Sequence, residues 1–119
     1  MEPIKQIKLD SLMAISKGDS RIAIGLIDGP IELNHSAFQD SEIKTVREKQ
    51  LASCANASSI ACTHGTFVAG ILSARRGSDA PAICPGCKII LYPFLAEQIS
   101  DNKTDNSLPY ATPQNCLML

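Results

Sequence analysis

The segment Arg21-Ile22-Ala23-Ile24-Gly25-Leu26-Ile27 limits the fold more than any other stretch of the chain. After its leading arginine it is apolar without polar alternation, and it stops at Asp28-Gly29-Pro30, a turn signal. Such a run is too short for an ordinary helix and too uniformly apolar for a strand with one wet face. It predicts a strand buried on both faces, the kind found in parallel sheets. A second run, Lys88-Ile89-Ile90-Leu91-Tyr92-Pro93-Phe94, predicts another. Between them, Phe67, Val68, Ile71 and Leu72 recur at helical spacing within His64 to Arg76. Thr63 is placed to cap this helix, Arg75 and Arg76 fall in its last turn, and Gly77 lies just beyond. Strand, long loop, helix, loop, strand predicts an α/β fold with a parallel sheet.

The flanking residues are less ordered in pattern. Residues 1–20 form a polar N-terminal segment in which Ile7, Leu9, Leu12, Met13 and Ile15 predict a short amphipathic helix stopping near Gly18. Ser41 to Leu51 is charged and its pattern assigns no element, and Ser53 to Cys62 is small and polar without periodicity. Residues 98–119 read as a polar tail, leaving 21–97 as the folded portion. With three Phe, two Tyr and no Trp, the core falls to Ile, Leu, Val and Ala.

A formal net charge of −1 gives no electrostatic reason to bind nucleic acid or an anionic membrane. No segment approaches the roughly 20 apolar residues of a membrane span. Met1 to Gln6 lacks the apolar region of a secretory signal, so a cytoplasmic location with reduced cysteines is expected; five cysteines, an odd number, agree.

An acid at the carboxyl end of a buried strand lies where open α/β sheets place their active sites, and Asp28 is such a residue. His64 stands at the expected start of the helix, where the dipole favours a neutral ring. A neutral histidine acting as general base needs a carboxylate to orient it, so Asp28 and His64 are candidate orienter and base of a Ser-His-Asp system. Taken singly each has a plainer reading, a turn aspartate and a capping histidine.

The local text sharpens both. Ile24-Gly25-Leu26-Ile27-Asp28-Gly29-Pro30-Ile31, with Leu33-Asn34-His35-Ser36-Ala37-Phe38 behind it, resembles the Asp box of the subtilisin-like serine proteases. His64-Gly65-Thr66-Phe67-Val68-Ala69-Gly70 is similar to the family's His box, H-G-T-x-V-A-G, at every fixed position, 36 residues on from the aspartate. Cys84-Pro85-Gly86-Cys87-Lys88-Ile89-Ile90 resembles the family's entry to its next central strand. The resemblance covers about residues 12–96 and implies the front portion of a three-layer subtilisin-like domain. It also implies peptide-bond hydrolysis of a peptide or protein substrate, with Asp28 orienting His64; no residue is assigned to a cofactor or metal. Gly65 would let the helix start pack closely, and Gly70 would let the helix pass tightly over the sheet. Gly-Pro after Asp28 looks like the form in bacterial maturation proteases such as those that trim cyanobactin precursors. His35 receives no catalytic part.

The departures are as informative. No G-T-S-x-A/S serine box occurs in the 119 residues, and the segment carrying the oxyanion-hole Asn is absent too. Ser100 and Ser107 lack the flanking small residues a nucleophile needs and read as loop serines. The expectation is a truncated or partial protease, inactive alone, whose partner would be the missing C-terminal portion. The alternative is a non-catalytic binding or regulatory module.

Cys54, Cys62, Cys84 and Cys87 could together hold zinc, although the first pair is spaced by eight. Otherwise they are loop or buried cysteines, with a local disulfide open to them in an oxidising compartment. The oxygen-rich Asp101, Asn102, Asp105 and Asn106 lack the calcium-loop pattern, and the final Cys116-Leu117-Met118-Leu119 matches a prenylation signal only formally.

Overall fold

The computed structural model describes residues 2–46 and 53–97. The tail 98–119, with Ser100, Ser107, Cys116 and the oxygen-rich stretch, lies outside the described residues, as do Met1 and residues 47–52. The elements in order are α1 (Glu2–Gln6), α2 (Leu9–Ile15), β1 (Ala23–Asp28), a 3-10 turn (Ser36–Phe38), β2 (Glu42–Thr45), α3 (Ile60–Ser73) and β3 (Lys88–Pro93).

The three strands form one parallel sheet in the order β1-β3-β2. Register runs from Ala23 opposite Lys88 to Asp28 opposite Pro93, and Glu42 also faces Lys88 from the other side. This is the α/β architecture with a parallel sheet that the two apolar runs predict. β3 is central, and its alternate residues Ile89, Leu91 and Pro93 are buried, as the two-residue period of a strand requires. The principal core joins Leu91 to Ile31, Ala37, Phe38, Ala69, Ala74 and Ala82.

Three expectations are corrected, and one segment left open by the sequence is assigned. β1 is not buried on both faces: β3 is its only partner among the described strands, and Ile22 and Ile27 are 53% and 56% exposed. Ala23, Gly25 and Ile27 share one face of β1, and the described residues pack no layer against it. The charged stretch from Ser41 contains β2, a strand whose pairing with β3 is set by tertiary context. The N-terminal helix is two short ones, broken where Lys8 takes a left-handed backbone (φ 58°), and neither buries a residue. α3 starts at Ile60, four residues before the predicted position, so His64 lies in its second turn and not at its dipole end.

Ser59, not Thr63, caps α3: its Oγ accepts the Cys62 N–H at 3.1 Å. The face that α3 buries is built from Ala61, Cys62, Gly65, Ala69, Gly70 and Ser73, while Phe67 from the apolar series is 66% exposed. Small residues spaced about four apart let a helix axis come close to its neighbour. Replacing Ser59 with alanine is expected to lower stability by about 1 kcal/mol, measured as a shift in urea midpoint at unchanged slope.

Candidate active site

β1 delivers Asp28 to the carboxyl end of the sheet. The backbone there is closed by β3, because the Asp28 carbonyl accepts from both Phe94 N–H (2.6 Å) and Leu95 N–H (3.2 Å). Asp28 is only 7% exposed. Its Oδ1 accepts from the Gly29 N–H at 2.6 Å and lies 2.9 Å from Nδ1 of His64. An ionised carboxylate can only accept, so in this contact the proton belongs on Nδ1, and in the neutral ring Nε2 then keeps its lone pair. The imidazole is 56% exposed. A ring fixed in that tautomer, with its second nitrogen unprotonated, is equipped to take a proton from a hydroxyl.

Glycine makes the approach of the two elements feasible. A Cβ on Gly65 would stand 2.3 Å from the Pro30 carbonyl oxygen and 3.0 Å from that of Gly29. Only a residue without a side chain lets α3 lie this close to the turn after Asp28, and that closeness brings the next-door His64 within reach. Gly70 does something different from what the His-box resemblance implies. Its missing Cβ would meet Ala80 in the following loop at 3.4 Å, an ordinary contact, and no sheet residue.

Two further residues position the site, and sequence reasoning missed both. The Thr66 Oγ1 accepts the Glu32 N–H at 2.9 Å, tying α3 to the segment after the Asp turn. Glu97 reaches back across about 40 residues. Its carboxylate accepts from Ala55 N–H (2.7 Å) and Asn56 N–H (3.1 Å) and from the Ser59 hydroxyl (2.6 Å), so it clamps the loop that leads into α3. Thr66 is legible only as a fixed letter of a motif, and no local signal marks Glu97. His35 is exposed, its Nδ1 accepting from Ala37 N–H, and it takes no part in the pair.

The cysteines do not assemble as a four-thiolate site. Cys54 and Cys62 form a disulfide across eight residues, against the expectation of reduced thiols. Cys84 and Cys87 lie at a separate turn where Gly18 packs on them. Burial, and secondarily the neighbouring Cys87, pushes the Cys84 thiol up; Arg76 opposes this more weakly. Cys84 is therefore expected to be alkylated by iodoacetamide more slowly than a free thiol near pH 8. Its rate should keep climbing above the ordinary thiol range of about 8.5, as peptide mapping by mass spectrometry would record.

Asp28 is buried and the His64 ring is half-exposed. A groove of about 850 Å³ lies elsewhere, between α1 and α3, with Ile4, Ile7, Phe67 and Ile71 in its walls, and it includes neither residue.

No family model and no curated protein matches the chain. Solved structures do. The prenylagaramide maturation protease PagA is similar at 26% identity over 76% of this chain, with a TM-score of 0.60. The protease domain of PatA carrying a serine-to-alanine mutation is similar at 29% identity over 63% of the chain, with a TM-score of 0.56. The patellamide maturation protease PatA follows at 26% over 65%, with a TM-score of 0.50. The chain spans 29%, 27% and 26% of those three chains. Its structural neighbours are thus subtilisin-like maturation proteases, and it shares the fold of less than a third of their length.

Proposed function

We propose that these residues supply the orienter and base of a subtilisin-like serine endopeptidase acting on a peptide or protein. The observation that carries this reading is the 2.9 Å contact between Asp28 Oδ1 and His64 Nδ1, on a parallel strand–helix–strand frame. In that reaction His64 Nε2 takes the proton of a serine hydroxyl as the oxygen attacks the scissile carbonyl, then returns it to the leaving amine. Asp28 holds the ring in its tautomer and stabilises the imidazolium formed between those steps. The attacking serine and the oxyanion donors come from residues outside these 119, either in the same polypeptide or in a second chain. A further layer packed on the exposed face of β1 would also cover Ile27.

A second reading, a binding or regulatory module with this front end, is favoured by the lack of a serine box in the 119 residues. A fluorophosphonate probe separates the two. The 119 residues alone are expected to remain unlabelled. Joined to, or mixed with, a polypeptide bringing the serine box of this fold, they should give serine labelling that disappears with His64→Ala. Labelling of the isolated chain, or labelling indifferent to His64, would refute the proposal, and failure of every assembly to label would favour the module.

A further inference from the structure

The geometry points to a second, redox-gated site on the other side of α3. We infer that reduction of Cys54–Cys62 creates, with the Glu32 carboxylate, a three-ligand site for a divalent cation of the zinc class. The two sulfurs and a Glu32 oxygen lie within 4.8 Å of one another. Cys62 is 1% exposed, so one ligand is already out of bulk water.

What makes this a site is that hydrogen bonds hold each ligand independently of the sulfur–sulfur bond. The bridge between Ile31 and Ser53 sets the next residues, Glu32 and Cys54, side by side. Glu97 fixes Ala55 and Asn56 immediately after Cys54. Cys62 is held in the first turn of α3 by the Ser59 cap, and Thr66 accepts the Glu32 N–H while its oxygen lies 3.8 Å from the Cys62 sulfur. Two thiolates on one tetrahedral cation stand about 3.8 Å apart, given zinc–sulfur bonds of about 2.3 Å. The Cα atoms of Cys54 and Cys62, 5.6 Å apart, permit that opening by side-chain rotation. Cys62 precedes His64 by two positions, about 200° around the helix, so the cation site and the Asp28–His64 pair occupy different sides of α3.

The chemistry balances with a dithiol as reductant. Its two hydrogens pass to the sulfurs of Cys54 and Cys62, and it becomes a disulfide in their place. The cation then releases both protons to solvent as it binds the two thiolates. Three protein ligands leave one tetrahedral position for water.

Cobalt(II), a spectroscopic substitute for zinc, tests the site in the 119-residue chain. After reduction with a phosphine and its removal, one equivalent should bind with thiolate-to-cobalt charge-transfer absorption, and zinc should bleach it. The unreduced chain should give no such band. Cys54→Ser should abolish the two-thiolate spectrum, Cys84→Ser should leave it, and Glu32→Gln should raise the apparent Kd at least about tenfold. Three results would overturn the inference: equal binding without reduction, loss that follows Cys84→Ser, or no response to Glu32→Gln. Collapse of the far-UV circular dichroism on reduction, before metal is added, would also overturn it, because the scaffold would then depend on the bond.

Discussion

Asp28→Asn, in an assembly that includes the serine-bearing part of the fold, is expected to lower kcat about 10⁴-fold with little change in KM. The cause is the direction of one hydrogen bond. Asp28 Oδ1 already accepts the Gly29 N–H and faces Nδ1 of His64 at 2.9 Å. An asparagine amide can turn its NH₂ toward the ring and donate, which moves the imidazole proton to Nε2 and removes the base. It also withdraws the negative charge that steadies the imidazolium. Substrate contacts made elsewhere survive, so the loss falls on the chemical step, and ten thousand-fold corresponds to about 5.5 kcal/mol. Steady-state kinetics on a peptide substrate would measure it. A variant with unchanged kcat would mean that Asp28 is only a turn residue.

Gly65→Ala is the second large effect, and it is structural. The added Cβ would sit 2.3 Å from one backbone oxygen and 3.0 Å from another, and neither can swing aside like a side chain. Overpacking costs about 1–3 kcal/mol when side chains can yield, so a clash with two backbone carbonyls of one turn is expected to cost about 3 kcal/mol or more. Relief requires α3 to move away from the turn at Gly29 and Pro30, and such a shift breaks the contact between Asp28 and His64. Gly70→Ala is the matched control. Its Cβ finds only Ala80 at 3.4 Å, so removing a mid-helix glycine should be neutral or stabilise by up to about 1 kcal/mol. Urea denaturation of the pair should therefore show a large fall in midpoint for Gly65→Ala and no fall for Gly70→Ala.

The parts of this molecule that were legible in the sequence are those written in neighbouring letters. The apolar run ending at Asp28 marks its strand, because few structures accept such a run, and His64-Gly65-Thr66 places the candidate base on a helix. The start of α3 was misread because Asn56, Ser58, Ser59 and Thr63 are all competent caps, and the choice among them is made by Glu97 and by burial of Ala61 and Cys62. The helix itself was legible but its buried face was not: Phe67 looks like core, yet tight packing selects the small residues. β2 is four residues of mixed polarity whose identity as a strand comes from β3, more than 40 positions away. Two-sided burial of β1 is not legible from its own letters, because burial is set by what packs on each face and not by the apolar run itself. The cysteine pairing was invisible because a spacing of eight says nothing about which backbone segments the Ile31–Ser53 bridge and Glu97 bring together.

The central claim concerns a single proton, and long-range ¹H–¹⁵N correlation of the His64 ring in the 119-residue chain observes it. With the ring neutral, the spectrum should place the proton on Nδ1, leave Nε2 as the bare nitrogen, and lose that preference in Asp28→Asn. A proton found on Nε2, or a tautomer unmoved when the carboxylate is replaced, would contradict the account.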